Sequence, residues 1–179
     1  MLMEKIRIAS EEHRLYKPFL KLYSGAFPIY EQRTYRQQQW AFNNPEYQLI
    51  AYCEGDEMLG FISAWKMQDC IYIEHFAIEE TQRGKGYGSR ILQAFCAESD
   101  EPVVLEIDPV CDAITAARLR FYQHCGFVEN RFEHIHPPYR TAYNGHRLTL
   151  MSTGKELSIK EFAQFTQDLK KVMACPPDN

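Results

Sequence analysis

The sequence predicts an α+β fold, an α/β sandwich built on one mostly antiparallel sheet flanked by helices. Two observations carry this. Tyr47 to Cys53, Met58 to Met67 and Ile71 to Ile78 are strand-like runs joined by the short turn signals Gly55-Asp56 and Gln68-Asp69. Two tight turns in succession imply an antiparallel meander. After residue 78 helical and strand patterns alternate to the end of the chain, which adds helices and further strands to that sheet. The chain has 179 residues, 45% hydrophobic and 25% charged. That is the size and make-up of one folded domain, able to bury roughly 70% of its unfolded surface without staples.

Each element has its own reason. Residues 4–9 alternate as a strand does. Ser10 followed by Glu11 and Glu12 reads as a helix start, with Leu15, Phe19, Leu22 and Tyr23 at helical spacing. Gly25 to Ile29 breaks that helix, and a second runs from about Glu31 to Phe42, ended by Asn43-Asn44-Pro45. After the meander a helix places Ile91, Leu92 and Phe95 inward, and Val103 to Ile107 is a short buried strand. Residues 113–124 form a further helix carrying Leu119 and Tyr122, which Gly126 closes before Phe127 opens a strand. Two prolines make His134 to Tyr139 a loop, and His146 to Met151 is the last strand. Ser158 and Glu161 form a capping box for a terminal helix to about Met173, with a frayed tail at 176–179. Leu157, Phe162, Phe165, Leu169 and Val172 give that helix an apolar stripe, by default core and otherwise a homodimer surface. Residues 1–155 are thus expected to form the functional domain, with the helix and tail of 156–179 packed on it.

Charge and cysteines narrow the function. The net charge is −4 and the pI about 5.9. That speaks against a general nucleic-acid or anionic-membrane binder, whose affinity rests on excess Lys and Arg. It leaves room for one local basic pocket. The start of the chain carries charges where a signal peptide needs an apolar core, and no apolar run approaches the ~18–20 residues of a membrane span, so a cytoplasmic protein is expected. Six cysteines at 53, 70, 96, 111, 125 and 175 form no C-x-x-C pair. They are expected to be buried thiols rather than disulfides or metal ligands.

The segment Arg83-Gly84-Lys85-Gly86-Tyr87-Gly88-Ser89 lies between an apolar strand and a helix. Glycines allow positive φ and close approach to a ligand. The first N–H groups of the helix lack intrahelical partners, and its dipole favours an anion there. Arg83, Lys85 and Arg90 add positive charge with no acid between Thr81 and Phe95. The turn suits a phosphate or pyrophosphate, although a turn that only caps a helix would also carry glycines. It is neither a P-loop nor the dinucleotide fingerprint, because its spacing is G-x-G-x-G.

Here the chain resembles the GNAT superfamily of acyl-CoA-dependent N-acyltransferases. Arg83, Gly86 and Gly88 match the family's R/Q-x-x-G-x-G/A pattern, Ile73-Glu74-His75-Phe76-Ala77-Ile78 looks like its fourth strand, and Phe121-Tyr122-Gln123-His124-Cys125-Gly126-Phe127 looks like its F-Y-x-x-x-G-F signature. The likeness covers roughly residues 4 to 150. It implies the mixed, mostly antiparallel central sheet of a GNAT-like fold, with acetyl-CoA as acyl donor and no metal. By the resemblance, the turn from Arg83 through Gly84, Lys85, Gly86, Tyr87 and Gly88 to Ser89 holds the pyrophosphate. The backbone of Phe76, Ala77 and Ile78 pairs with the pantetheine arm. The acceptor is a small-molecule or peptide amine.

Acyl transfer from a thioester to an amine needs a neutral amine, donors for the oxyanion and a proton for the leaving thiolate. Glu74 is the candidate base: an acid inside an apolar strand, where burial is expected to raise its pKa. The other reading of Glu74 is a buried acid paired with a basic neighbour. His75 is the rival base, on the opposite face unless a bulge intervenes. By the resemblance Tyr122 reaches the sulfur as general acid, against the alternative of an aromatic packed beside Phe121. A backbone N–H near Ala77 or Ile78 would serve the oxyanion. On the acceptor side the resemblance implicates the regions carrying Phe27, Tyr30, Glu31, Tyr35, His134, His136 and Tyr139, whose aromatics and acid suit a cationic amine. The i, i+2 spacing of His134 and His136 does not by itself mark a metal site. An N-acetyltransferase is the leading function. A non-catalytic acyl-CoA-binding sensor or scaffold is the alternative, and the charge balance counts against acetylation of a nucleic-acid-bound amine.

Overall fold

The computed structural model describes residues 2–176. Its sheet has the strand order β1-β2-β3-β4-β5-β8-β6, with β7 paired on β8 away from that path. The strands are β1 (Glu4–Arg7), β2 (Tyr47–Glu54), β3 (Glu57–Lys66), β4 (Ile71–Ile78), β5 (Val103–Ile107), β6 (Phe127–Glu129), β7 (His134–His136) and β8 (His146–Thr153). The helices are α1 (Tyr16–Ala26), α2 (Tyr35–Phe42), α3 (Tyr87–Ala97), α4 (Ala113–His124) and α5 (Ile159–Met173). Every strand pair is antiparallel except β4 with β5. The expected mixed, mostly antiparallel sheet flanked by helices is therefore present.

Helices cover both faces. One apolar cluster joins Phe19, Leu22 and Tyr23 of α1, Phe61 and Trp65 of β3, and Phe165, Leu169 and Val172 of α5. The other joins Ile91, Leu92 and Phe95 of α3 to Ile62, Ile73, Leu105 and Met151 of the sheet. Because β3 is covered on both sides, its residues from Met58 to Trp65 are all buried. The stripe on α5 is core: burying side chains such as Phe165 and Leu169 is worth roughly 1.5–3 kcal/mol each. Among the described residues no helix is long and apolar enough to cross a membrane. Cysteines 53, 70, 96, 111, 125 and 175 are all free thiols.

Some boundaries differ from the sequence reading. Helix α1 begins at Tyr16, not Ser10, because residues 10–15 form turns in which the His13 N–H donates to the Ser10 carbonyl and the Tyr16 N–H to the His13 carbonyl. The expected helix from Glu31 splits into a single 3₁₀ turn, Ile29–Glu31, and α2, which starts only after Thr34 caps it in a box with Gln37. His134 to His136, expected as loop, forms the short strand β7. The prolines at 137 and 138 come just after it and end it without costing it a hydrogen bond. Of the tail read as frayed, residues 177–179 lie outside the described residues.

Two irregularities make the site. The parallel pairing of β4 with β5 is confined to Ile71 with Val103 and Tyr72 with Val104. Beyond it the two strands part, and the sheet opens into a cavity. The second irregularity lies in β4 itself. Ser63 pairs with His75, but the next residue, Ala64, pairs with Ile73. Glu74 is thus the extra residue of a β-bulge, which turns a side chain away from strict alternation.

Candidate active site

The cavity between β4 and β5 has a volume of about 950 Å³. Its walls come from Ile73 to Ile78 of β4, Leu105 to Asp108 at the end of β5, and Ala117, Arg118, Phe121 and Tyr122 of α4. At one end lies the glycine-rich turn, and at the other Phe27, Tyr30, Glu31, His136, Tyr139 and His146.

The turn has the geometry an anion needs. Gly84 and Gly86 have φ of +77° and +81°, a region that L side chains enter only at a cost. Gly86 caps α3 in this left-handed conformation and makes no side-chain cap hydrogen bond to the open N–H groups of the helix. Gly88 has a different role from the other two. Its φ is not positive, and a Cβ there would meet the Phe121 ring at 3.4 Å, an ordinary van der Waals contact between α3 and α4. Arg83 and Lys85 are exposed at the turn. Arg83 Nε donates to the Ile78 carbonyl at 3.2 Å, and Lys85 Nζ to Gln82 at 3.1 Å. Tyr87 donates its hydroxyl to Glu54 at 2.9 Å, and the Ser89 hydroxyl bonds the Gly86 carbonyl at 3.1 Å. These contacts fix the turn from its outer side.

Along the middle of the cavity, β4 shows Phe76, Ala77 and Ile78 on an edge that β5 has left. Tyr122 faces them from α4, where Phe121 and Phe127 pack edge-on against its ring at 5.1 and 5.9 Å. Burial pushes the Tyr122 hydroxyl up to about 12, so it is protonated at neutral pH and can donate.

Glu74 differs from expectation. Its carboxylate is sealed from solvent and accepts hydrogen bonds from Arg33 Nε at 2.8 Å, Trp65 Nε1 at 2.8 Å and the Tyr139 hydroxyl at 3.0 Å. Burial by itself raises its pKa. The Arg33 charge and the bonds from Trp65 and Arg33 outweigh that and hold the carboxyl well below the usual carboxylate range. The expected upward shift is therefore reversed, and the basic neighbour of the alternative reading is Arg33. A carboxylate so strongly held is a poor proton acceptor. Arg33 is itself locked: its N–H donates to the Tyr23 hydroxyl at 2.7 Å, and Nη2 to the Val172 carbonyl of α5 at 2.8 Å. The bulge also brings His75 to the same side as Glu74, with Nδ1 3.8 Å from the carboxylate. His75 Nε2 lies 2.8 Å from the Glu31 carbonyl, which can only accept, so Nε2 carries the proton. Burial lowers the pKa of His75 and keeps the ring neutral.

Of the acceptor-side candidates, Phe27, Tyr30, Glu31, His136 and Tyr139 line the cavity. Tyr35 and His134 do not. Tyr35 is exposed and donates to Glu11, and His134 is buried with its Nε2 2.6 Å from Glu106. Glu106 also accepts from Tyr72 and faces His136 Nε2 at 3.9 Å, forming a polar floor under the cavity. Residues that sequence reasoning missed are Arg33, Asp108, Arg118 and His146. Only their spatial neighbours distinguish them, and no local pattern marks them. No trio of His, Cys, Asp or Glu is placed to hold a metal among the described residues.

Comparison with known proteins agrees with this architecture. A solved structure of a protein from Bacteroides thetaiotaomicron assigned to the GNAT family superposes with a TM-score of 0.88 at 24% identity, covering 97% of this chain and 99% of that one. A Bacillus subtilis acetyltransferase solved in complex with CoA matches with a TM-score of 0.57 at 13% identity, over 85% of this chain and 98% of that one. A GNAT family acetyltransferase from Elizabethkingia anophelis, solved with acetyl-CoA bound, matches with a TM-score of 0.56 at 13% identity, over 84% and 97%. No curated protein matches the sequence. The family model for acetyltransferases of the GNAT type matches residues 12–127, which hold the meander, the glycine-rich turn and Tyr122, and the chain therefore belongs to the GNAT acetyltransferase family.

Proposed function

We propose that the protein transfers an acetyl group from acetyl-CoA to a primary amine of a small molecule or peptide by direct attack in a ternary complex. The observation that carries this is the parted β4–β5 pair. It opens one cavity that runs from an anion-binding helix start, past an unpaired strand edge and a protonated tyrosine, to an aromatic end with a carboxylate.

On this reading the N–H groups at the start of α3, with Arg83 and Lys85, hold the pyrophosphate. The free edge of Phe76, Ala77 and Ile78 pairs with the pantetheine arm. A backbone N–H at Ala77 or Ile78 steadies the oxyanion as the amine nitrogen bonds to the thioester carbonyl carbon. The C–S bond then breaks, and Tyr122 gives its proton to the departing thiolate, recovering one from the nitrogen of the new amide. The proteins solved with CoA and with acetyl-CoA share the fold and support this donor.

The test is a panel of alkylamines and peptide amines with acetyl-CoA, read by thiol release. Transfer to at least one amine is expected. Tight acetyl-CoA binding with no transfer across the panel would instead favour an acyl-CoA sensor.

A further inference from the structure

Glu74, the expected base, is engaged elsewhere, so the proton of an incoming ammonium needs another acceptor. We propose that Glu31 takes that proton and that His146 passes it on, while Glu74 serves as the anchor that positions Glu31. This inference rests on the acetyl-transfer reading of the same cavity.

Glu31 ends the 3₁₀ turn at the acceptor end of the cavity, and its carboxylate is partly open to it, with 24% of the side chain exposed. Across from it stands His146 at the start of β8, with Nε2 4.0 Å from Glu31 Oε1 and 28% of its side chain exposed. Both groups therefore touch the cavity and solvent. Glu74 also lines the cavity, but its carboxylate is sealed from solvent, at 1% exposure, and is engaged by Arg33, Trp65 and Tyr139.

The turn is also held rigidly, as proton transfer requires. His75 Nε2 donates to the Glu31 carbonyl, and Arg140 Nε reaches the carbonyls of Ile29 at 3.1 Å and Gln32 at 3.3 Å. Arg33, just beyond the turn, is fixed by Glu74, Tyr23 and Val172. The β4 bulge thus supplies both clamps, His75 on Glu31 itself and Glu74 through Arg33.

Charge favours the assignment. The groups around Glu31 are His75 from β4, Glu106 and Asp108 from β5 and its end, Arg118 from α4, His136 from β7 and His146 from β8, with Tyr30 and Tyr139. Asp108 and Arg118 pair with each other at 2.9 Å. Burial first, then Asp108 and Glu106, raise the Glu31 carboxyl above its ordinary value, and Arg118 opposes them. A carboxylate so raised is a better proton acceptor and attracts a cation. Burial and His136 lower the pKa of His146, so its ring is neutral at pH 7 and free to receive a proton. His136 donates from Nδ1 to the Pro137 carbonyl at 2.6 Å, which sets its ring against that of His146 at 5.8 Å.

The step balances. The N–H bond of the ammonium breaks, and an O–H bond forms on Glu31, leaving a neutral amine to attack. Glu31 hands the proton to His146, which loses it to solvent. The second proton lost by the nitrogen goes to the thiolate through Tyr122, so the products are amide, thiol and one released proton.

The test compares two acceptors over pH 5.5–9 (about this range) with wild type, Glu31→Gln and His146→Asn. One acceptor is an alkylamine, protonated at neutral pH. The other is an aromatic or alkoxy amine, already neutral there. Glu31→Gln is expected to lower kcat/KM for the alkylamine by roughly 10²-fold or more, the size of a general base's contribution, and for the neutral acceptor by less than about tenfold. His146→Asn should do the same more weakly and move the acid limb of the profile. Acetyl-CoA affinity, measured by calorimetry on each variant, should stay within about threefold of wild type, which separates the role from misfolding. Equal losses for both acceptors, or an unmoved profile, would overturn the assignment while leaving acetyl transfer in place. A wild type that transfers to no amine would remove both.

Discussion

At the end of the cavity proposed for the donor, consecutive residues from Arg83 to Ser89 supply glycine conformations, positive charge and an open helix start. At the end proposed for the acceptor, Glu31, His75, His136, Tyr139 and His146 arrive from separate segments, and buried polar bonds hold them together. The donor end is local in sequence and solvent-exposed. The acceptor end is long-range and depends on a desolvated ion pair between Arg33 and Glu74. The difference is physical. A phosphate needs backbone donors and one turn can provide them. An ammonium needs a carboxylate whose proton affinity is set by burial and neighbours, and only the assembled fold provides those.

Substitutions can break this contrast, beginning with the largest expected effect. Arg33→Ala leaves Glu74 buried without its partner and should cost about 3–5 kcal/mol of stability, measured by denaturant unfolding. The loss should depend on pH. The Glu74 carboxyl is lower in the folded chain than in the unfolded one, so the pair stabilises above the ordinary carboxylate pKa and fades as pH falls through the depressed value. Wild type and variant should therefore converge in acid. A constant gap would mean that packing, not charge, is lost. Tyr122→Phe comes next: turnover should fall by about one decade or more with acetyl-CoA affinity near normal, as expected for a general acid, and full turnover would remove Tyr122 from the mechanism. Glu74→Gln should lower the melting temperature while the acid limb of the pH–rate profile stays in place. A displaced limb would return the base to β4.

Smaller effects are expected at the donor end. Gly86→Ala asks a Cβ to accept a φ of +81°, at about 1–2 kcal/mol, so acetyl-CoA binding should weaken by about tenfold as the turn relaxes away. Lys85→Ala removes one exposed charge, and affinity should drop only a few-fold, with a shallower salt dependence in a titration between low and physiological ionic strength.

The same contrast explains what could be read from the sequence. The meander, β5 and α4 follow from apolar runs, turn residues and the closing Gly126, each a signal within a few residues. The glycine-rich turn was legible for the same reason. Glu74 was legible as a buried acid but not as a saturated one. Its partners Arg33, Trp65 and Tyr139 lie 41, 9 and 65 residues away, and no local pattern announces them. Its bulge is likewise invisible, because only the partner strand reveals an extra residue. His146 read as an ordinary strand residue until the fold set it opposite Glu31.

On the proposed reading, one cavity joins the two ends with the thioester between them. A crystal structure with acetyl-CoA and an unreactive amine analogue tests it most directly. The pyrophosphate is expected on the N–H groups of residues 84–89, the thioester beside Tyr122 and the β4 edge, and the amine nitrogen turned towards Glu31 and His146. Acetyl-CoA bound away from residues 83–88, or an amine nitrogen turned away from Glu31, would contradict it.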